Sequence, residues 1–254
     1  GGAPLPLVRR AARQTLLGLS YIHHRRIIHT DLKPENILLQ RHDAVEFRRE
    51  ALAAVAAGAG SGDTSLGPSR QRQRLDSLCA EDVFVKLADF GSAQRVGECV
   101  TDDIQTQQYR SPEVIVGQAW DETVDVWSAA CTFFESVTGD YLFDPRDGAA
   151  WSAEEDHLAQ MVELLGNYPP KEWALASRLA RDFFTCAGKL KHLKESRLSY
   201  RSLADVLGES PTIAANKAAE VAEFLLPMLA WEPRRRRSAR EALAHSWVRM
   251  AIGE

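Results

Sequence analysis

Asp31, Lys33 and Asn36 stand close together in the stretch HTDLKPENILL, residues 29–39. A carboxylate, an ammonium and an amide so placed are groups that a phosphoryl transfer from ATP to a hydroxyl could use. Such a transfer needs little covalent help from a protein. It needs a carboxylate beside the attacking hydroxyl, metal ions across the phosphates, and positive charge on the transferred group. Asp89, in ADFG (88–91), is a second candidate metal ligand, with Phe90 and Gly91 beside it. YRSPEV (109–114) and DVWS (125–128) follow in order.

Each stretch alone is modest. A D-F-G tripeptide arises by chance, and Asp31, Asn36 and Asp89 taken singly read as ordinary turn formers. Taken in order, with a strand before Asp89 and a buried helix after Glu113, the set is specific.

The elements that must carry these residues follow from periodicity. Residues 4–24 predict a helix, with Val8, Ala12, Leu16, Leu19 and Ile22 on one face and Pro4 and Pro6 at its start. The 29–39 stretch is a loop running into a short β-rich piece, and VFVKLADFGSA (83–93) is a strand ending in a turn. Residues 124–137 are apolar nearly all round, which predicts a buried helix closed by Gly139. Helices are also expected over 157–166, 220–230 and 238–248. The last opens with Ser238 and Glu241 at capping-box spacing. Residues 41–80 change character: Ala, Gly, Ser and Arg dominate without an apolar period. They read as a flexible insert with a helical turn or two in 46–57.

The chain has 254 residues, 45% of them hydrophobic and 26% charged, which suits a globular domain with a real core. No long apolar run suggests a membrane span, and the N-terminal stretch lacks a signal-peptide core. Cys79, Cys99, Cys131 and Cys186 are far apart, which fits free thiols in a reducing compartment rather than a zinc site. A net charge of −4 gives no overall attraction to nucleic acid.

The ordered motifs resemble those of the eukaryotic protein kinases, specifically their large helical lobe, over residues 4–252 apart from the insert. The resemblance implies an α+β, mainly α fold: a kinase large lobe without the small β lobe. It divides the chain into 1–40 (helix and catalytic loop), 41–80 (spacer) and 81–254 (activation segment and helical core). It implies ATP and Mg2+ as cofactors. By that likeness Asp31 orients and deprotonates the substrate hydroxyl, and Lys33 steadies the γ-phosphate. Asn36 and Asp89 hold magnesium. Lys33, Glu35, Asn36, Leu38 and Asp89 contact the nucleotide and its metal. Thr106 bonds Asp31 and Lys33 and favours Ser/Thr substrates. Glu113 pairs with Arg236, Asp125 holds the catalytic-loop backbone, and His29 stacks with Phe90.

Other words narrow the resemblance. TDDIQTQQYRSPEVIVG, SAACTFFESVTGDYLFDP, EEDHLAQMVELLG and FFTCAGKLKHL look like the SR-protein kinases of the CMGC group, which phosphorylate serines in Arg/Ser-rich splicing factors. A long spacer between Asn36 and Asp89 agrees. The implied enzyme is a monomer of cytoplasm and nucleus that binds neither nucleic acid nor membrane. The alternatives are a LAMMER-type dual-specificity kinase and a non-catalytic module that binds Arg-rich peptides. GDYLFDP followed by EEDHLA favours the SR-protein kinases.

The stretch 140–163 is acidic, and the resemblance makes Asp140, Asp156 and Glu163 a docking groove for Arg-rich substrates. The RRRR run (234–237) reads as structural, with Arg236 paired internally. Tyr21, His23 and His24 read as packing and capping groups. No G-x-G-x-x-G and no V-A-I-K occur, so the 254 residues alone are expected to have negligible kinase activity. Two letters depart from the usual kinase pattern. Gln107 replaces an Arg in the activation segment. Thr30 replaces the Arg that normally grips an activation-segment phosphate, so activity is expected without phosphorylation at Thr101 or Ser92.

Overall fold

The computed structural model describes residues 2–41, 83–98 and 100–249. The turns expected in 46–57 and nearly all of the 41–80 segment lie outside the described residues. The described chain is mostly helical. In order the helices are α1 (Leu5–His24), α2 (Pro112–Ile115), α3 (Thr123–Thr138), α4 (Ala153–Leu165), α5 (Lys171–Leu175), α6 (Ala180–Phe183), α7 (Leu203–Gly208), α8 (Ala215–Leu225), α9 (Ala239–Ala242) and α10 (Ser246–Arg249). The strands are β1 (Ile27–Ile28), β2 (Ile37–Arg41), β3 (Val83–Leu87) and β4 (Gln94–Arg95). They form two antiparallel pairs, β1 with β4 and β2 with β3.

α1 starts where Pro6 sets the helical φ without losing a needed donor. It buries Val8, Ala12, Leu16, Leu19 and Ile22. Its polar face is used as well. Gln14 donates to the Val83 carbonyl (2.9 Å) and accepts from the Val85 N–H (2.7 Å), fixing β3 along the helix. The β2–β3 register sets Ile37 opposite Leu87, so the end of the 29–36 loop meets the start of the ADFG stretch.

α3 runs through the core, with Val126, Trp127, Ala129 and Ala130 fully buried. Gly139 (φ 87°) ends it in the left-handed region that favours glycine. Phe133 of α3, Phe224 of α8 and Trp247 of α10 stack in series, tying the C-terminal helices to it.

Three helix boundaries differ from expectation. α4 begins at Ala153 rather than 157, because Ser152 caps the Glu155 N–H and opens the helix a turn earlier. α8 begins at Ala215 rather than 220 and gives way to a 3-10 turn at Leu226–Met228, where Pro227 lacks the donor that would continue it. The expected helix over 238–248 is two short helices. The Ser238–Glu241 capping box opens α9, and His245 Nδ1 then accepts the Trp247 N–H (3.2 Å) and starts α10 afresh.

Candidate active site

Asp125 on α3 organises the loop that carries Asp31. Its buried carboxylate accepts the N–H groups of His29 (2.8 Å) and Thr30 (2.9 Å) and the Nε2 of His23 (2.8 Å). The end of α1, the loop and α3 are thereby fixed to one anion. His29 continues the chain of contacts, with Nε2 on the Ala88 carbonyl (2.9 Å) just before Asp89. Its ring lies 5.0 Å from that of Phe90 at 59°, a tilted contact where stacking was expected, because Phe90 leans out and is 43% exposed.

Four groups converge at Asp31. Its carboxylate accepts the Thr106 hydroxyl (2.7 Å) and N–H (3.2 Å) and pairs with Lys33 Nζ (2.8 Å). Asn36 Nδ2 donates to the Asp31 carbonyl (2.8 Å) and reaches its carboxylate at 3.4 Å. Lys33 Nζ also donates to Thr106 Oγ1 (3.0 Å), closing a three-residue ring. Burial pushes the Asp31 carboxyl up, but the hydrogen bonds from Lys33 and Thr106 and the Lys33 charge outweigh it and hold it below the ordinary carboxylate value. Asp31 is therefore a fixed anion near neutral pH.

Asn36 gives its amide hydrogens to Asp31, which leaves its oxygen for other use. Asp89 (φ 60°) is exposed, and its side chain accepts the Gly91 N–H. The Ala88 N–H on the Asn36 carbonyl (2.9 Å) joins the two segments. An amide oxygen and a carboxylate fit magnesium, a hard cation that takes few protein ligands when phosphates supply the rest. No cluster of three or more His, Cys, Asp or Glu side chains suited to a metal occurs among the described residues. Glu35 is exposed, and Leu38 is 51% exposed on the outer side of β2.

Thr30 is buried in the left-handed region (φ 72°). Its hydroxyl donates to the Ser92 carbonyl (2.9 Å), and its own carbonyl accepts the Gln105 N–H (2.9 Å). Gln105 escaped the sequence reading. It is buried, has φ 67°, and its amide donates to Tyr109 O, Val124 O and Ser128 Oγ while accepting from the Ser111 N–H and hydroxyl. A polar residue between Ile104 and Thr106 offered no periodic signal. Gln94 was missed likewise: it accepts the Val100 N–H and donates to the Thr101 carbonyl. Gln107 lies in the 3-10 turn Gln107–Tyr109.

Arg236 donates to both carboxylate oxygens of Glu113 (2.6 and 2.8 Å), and neither side chain has solvent exposure. The other three arginines of the run are exposed. Asp140 is exposed. Asp156 accepts the Arg146 N–H (3.0 Å) and Gln160 Nε2 (2.8 Å), and Glu163 accepts the Ser199 N–H (2.8 Å). Glu155 is not part of that acidic surface. It is buried, accepts the N–H groups of His192 and Leu193, and meets His192 Nδ1 at 2.6 Å. Tyr21 is 62% exposed beside Arg25 and so is not a packing group.

Sequence comparison agrees with this geometry. The protein kinase domain pattern matches residues 4–54 and 75–248. Serine/threonine-protein kinase SRPK of Physarum polycephalum is 39% identical over 97% of this chain. Protein kinase dsk1 of Schizosaccharomyces pombe is 44% identical over 66%, and human SRSF protein kinase 3 is 43% identical over 68%. The chain spans 62% of the Physarum relative's length and 30% of each of the other two. A pattern match over most of the chain and relatives of these names lead to one conclusion: this chain belongs to the protein kinase domain family, on its SR-protein kinase branch.

Proposed function

We propose that these residues form the large-lobe half of a serine/threonine protein kinase that phosphorylates serines in Arg/Ser-rich segments. The observation that carries the reading is the Asp31–Lys33–Thr106 ring, with Asn36 donating into it. Asp31 receives a serine hydroxyl, aligns it and accepts its proton as the oxygen attacks phosphorus. Thr106 and Lys33 hold the Asp31 carboxylate in one rotamer, so the acceptor geometry exists before substrate arrives. Lys33 would also offer its positive charge to the phosphoryl group being transferred. ATP, with Mg2+ held by Asn36 and Asp89, would supply the phosphoryl donor. The small lobe that completes the ATP site is a separate requirement, and two small β pairs among the described residues do not supply it.

Asp140, Asp156 and Glu163 offer carboxylates to arginines. The N–H groups already on Asp156 and Glu163 fix their rotamers and leave lone pairs for a guanidinium.

The test is phosphate transfer from ATP to an Arg-Ser peptide by this chain joined to the small lobe of the Physarum relative. Asp31→Asn should lower kcat by about 10²–10⁴-fold, while residues 1–254 alone stay inactive. Full activity of the Asn variant rejects the catalytic assignment. Asp156→Ala with Glu163→Ala should raise KM about tenfold with kcat little changed, an effect that fades at high salt. An unchanged KM removes the docking assignment.

A further inference from the structure

Serines that neighbour an arginine recur along the described residues: Ser111, Ser177, Ser196, Ser202 and Ser238. Four of these hydroxyls are tied down. Ser111 is buried and donates to the Gln105 side chain (3.0 Å). Ser177 is buried and donates to the Ala174 carbonyl (2.7 Å). Ser202 caps α7, accepting the Asp205 N–H and donating to the Asp205 carboxylate (2.6 Å). Ser238 opens α9 through its capping box with Glu241. Ser196 differs: it is exposed, and its hydroxyl has no hydrogen-bond partner among the described residues. It sits in the 3-10 turn Glu195–Arg197, closed by the Arg197 N–H on the Lys194 carbonyl (2.9 Å) and the Leu198 N–H on the Glu195 carbonyl (3.1 Å). A single turn of this kind opens at small cost. The span around it is anchored on both sides to α4. Glu155 accepts the His192 and Leu193 N–H groups, and Glu163 accepts the Ser199 N–H. An exposed turn between two anchors can be presented to another molecule without opening the core.

We infer that Ser196 is a phosphorylation site, modified by the completed kinase acting on a second copy of this chain. The inference rests on the Arg/Ser specificity of the proposed function. Arg197 supplies the basic neighbour that such specificity reads. It is exposed, with its guanidinium 5.6 Å from the Trp151 ring centre, so it is free to leave that ring for a carboxylate of the acting copy. In the transfer, Ser196 Oγ attacks the γ-phosphorus of ATP. The new oxygen–phosphorus bond forms as the bond to the ADP oxygen breaks, and the hydroxyl proton passes to Asp31 of the acting copy. The product carries about 1.5–2 added negative charges at pH 7. They stand three residues from Ser199, whose N–H is held by Glu163.

The test mixes the 254-residue protein, as substrate, with ATP and the chain joined to the small lobe of the Physarum relative, as enzyme. An Arg-Ser peptide is present in the same tube, and tandem mass spectrometry reads the occupancy of each serine over time. Ser196 should be labelled at least about tenfold faster than Ser111, Ser177, Ser202 or Ser238, whose hydroxyls must first lose their bonds. Arg197→Ala should slow labelling of Ser196 about tenfold, the effect of one lost charge-assisted contact. A labelled peptide beside an unlabelled Ser196 overturns the inference and leaves the proposed function standing. An unlabelled peptide removes the proposed function, and the inference with it. Labelling of the four tied serines at the rate of Ser196, or labelling of Ser196 that ignores Arg197→Ala, also overturns it.

Discussion

Gln105 holds its backbone at φ 67°, a conformation that costs a non-glycine residue about 1 kcal/mol or more. Its amide repays this by satisfying Ser111, Ser128 and two carbonyls in a buried site. Gln105→Ala should destabilise the protein by about 2–3 kcal/mol, because those groups lose their partner. Gln105→Gly loses the same bonds but relieves the strain, so it should melt higher than the Ala variant by about 1 kcal/mol equivalent. Urea denaturation of the two variants decides, and the reverse order would reject the strain argument. Thr30 and Gln94 work with Gln105 to order the activation segment through uncharged bonds to Ser92 O, Thr101 O and the Val100 N–H. The side chains of Thr101 and Ser92 are not what those bonds hold. Thr101→Ala and Ser92→Ala in the completed kinase should thus stay within about twofold of parent activity, given that loss of one surface hydroxyl is a small change. A collapse would mean that phosphorylation is needed after all. Thr30 was readable in the sequence as a missing positive charge. What replaces that charge was not, since the Ser92 carbonyl and the Gln105 N–H come from distant segments.

At the scale of elements, one ion pair fastens the start of α2 to the segment before α9. Glu113 and Arg236 are both without solvent exposure, and Arg236 also bonds Ala230 O and Thr123 O and lies over the Trp127 ring. Arg236→Met strands the Glu113 carboxylate in the core and should cost about 3–5 kcal/mol. Arg236→Lys should recover little, because an ammonium cannot reproduce the two-pronged contact. Chemical denaturation measures both, and a loss below about 1 kcal/mol in the Met variant contradicts the role assigned here. The spacing of Arg236 before Glu241 suggested this pair by resemblance alone. The helices themselves were readable where apolar periods run long, as in α1 and α3. They were misread where a local side chain decided the boundary: Ser152 at α4, Pro227 at α8 and His245 at α10.

At the scale of the whole molecule, burial of one histidine adds to the acid sensitivity. His157 on α4 is buried beside Phe143, and burial with the nearby Arg110 charge pulls its pKa from 6.5 down to about 3. The unfolded chain takes up a proton below pH 6.5 that the native protein refuses until about pH 3. Stability therefore falls as pH drops through that window, by about 1.4 kcal/mol per pH unit for this one group. Between pH 7 and pH 5, His157→Phe should lose about 2 kcal/mol less stability than the parent, as read by urea unfolding at both pH values. Equal losses would clear His157 of that role. The sequence by itself determined which candidate residues cluster around Asp31, the order of the motifs and the long buried helix, because spacing and apolar period are properties of neighbouring residues. Only the tertiary structure decided that Gln105 and Thr30 brace the segment around Ser92 and Ser111 and that Glu155 leaves the acidic surface for the interior. Each of those outcomes depends on which atoms from remote segments meet in a space without water, and chain order does not record that.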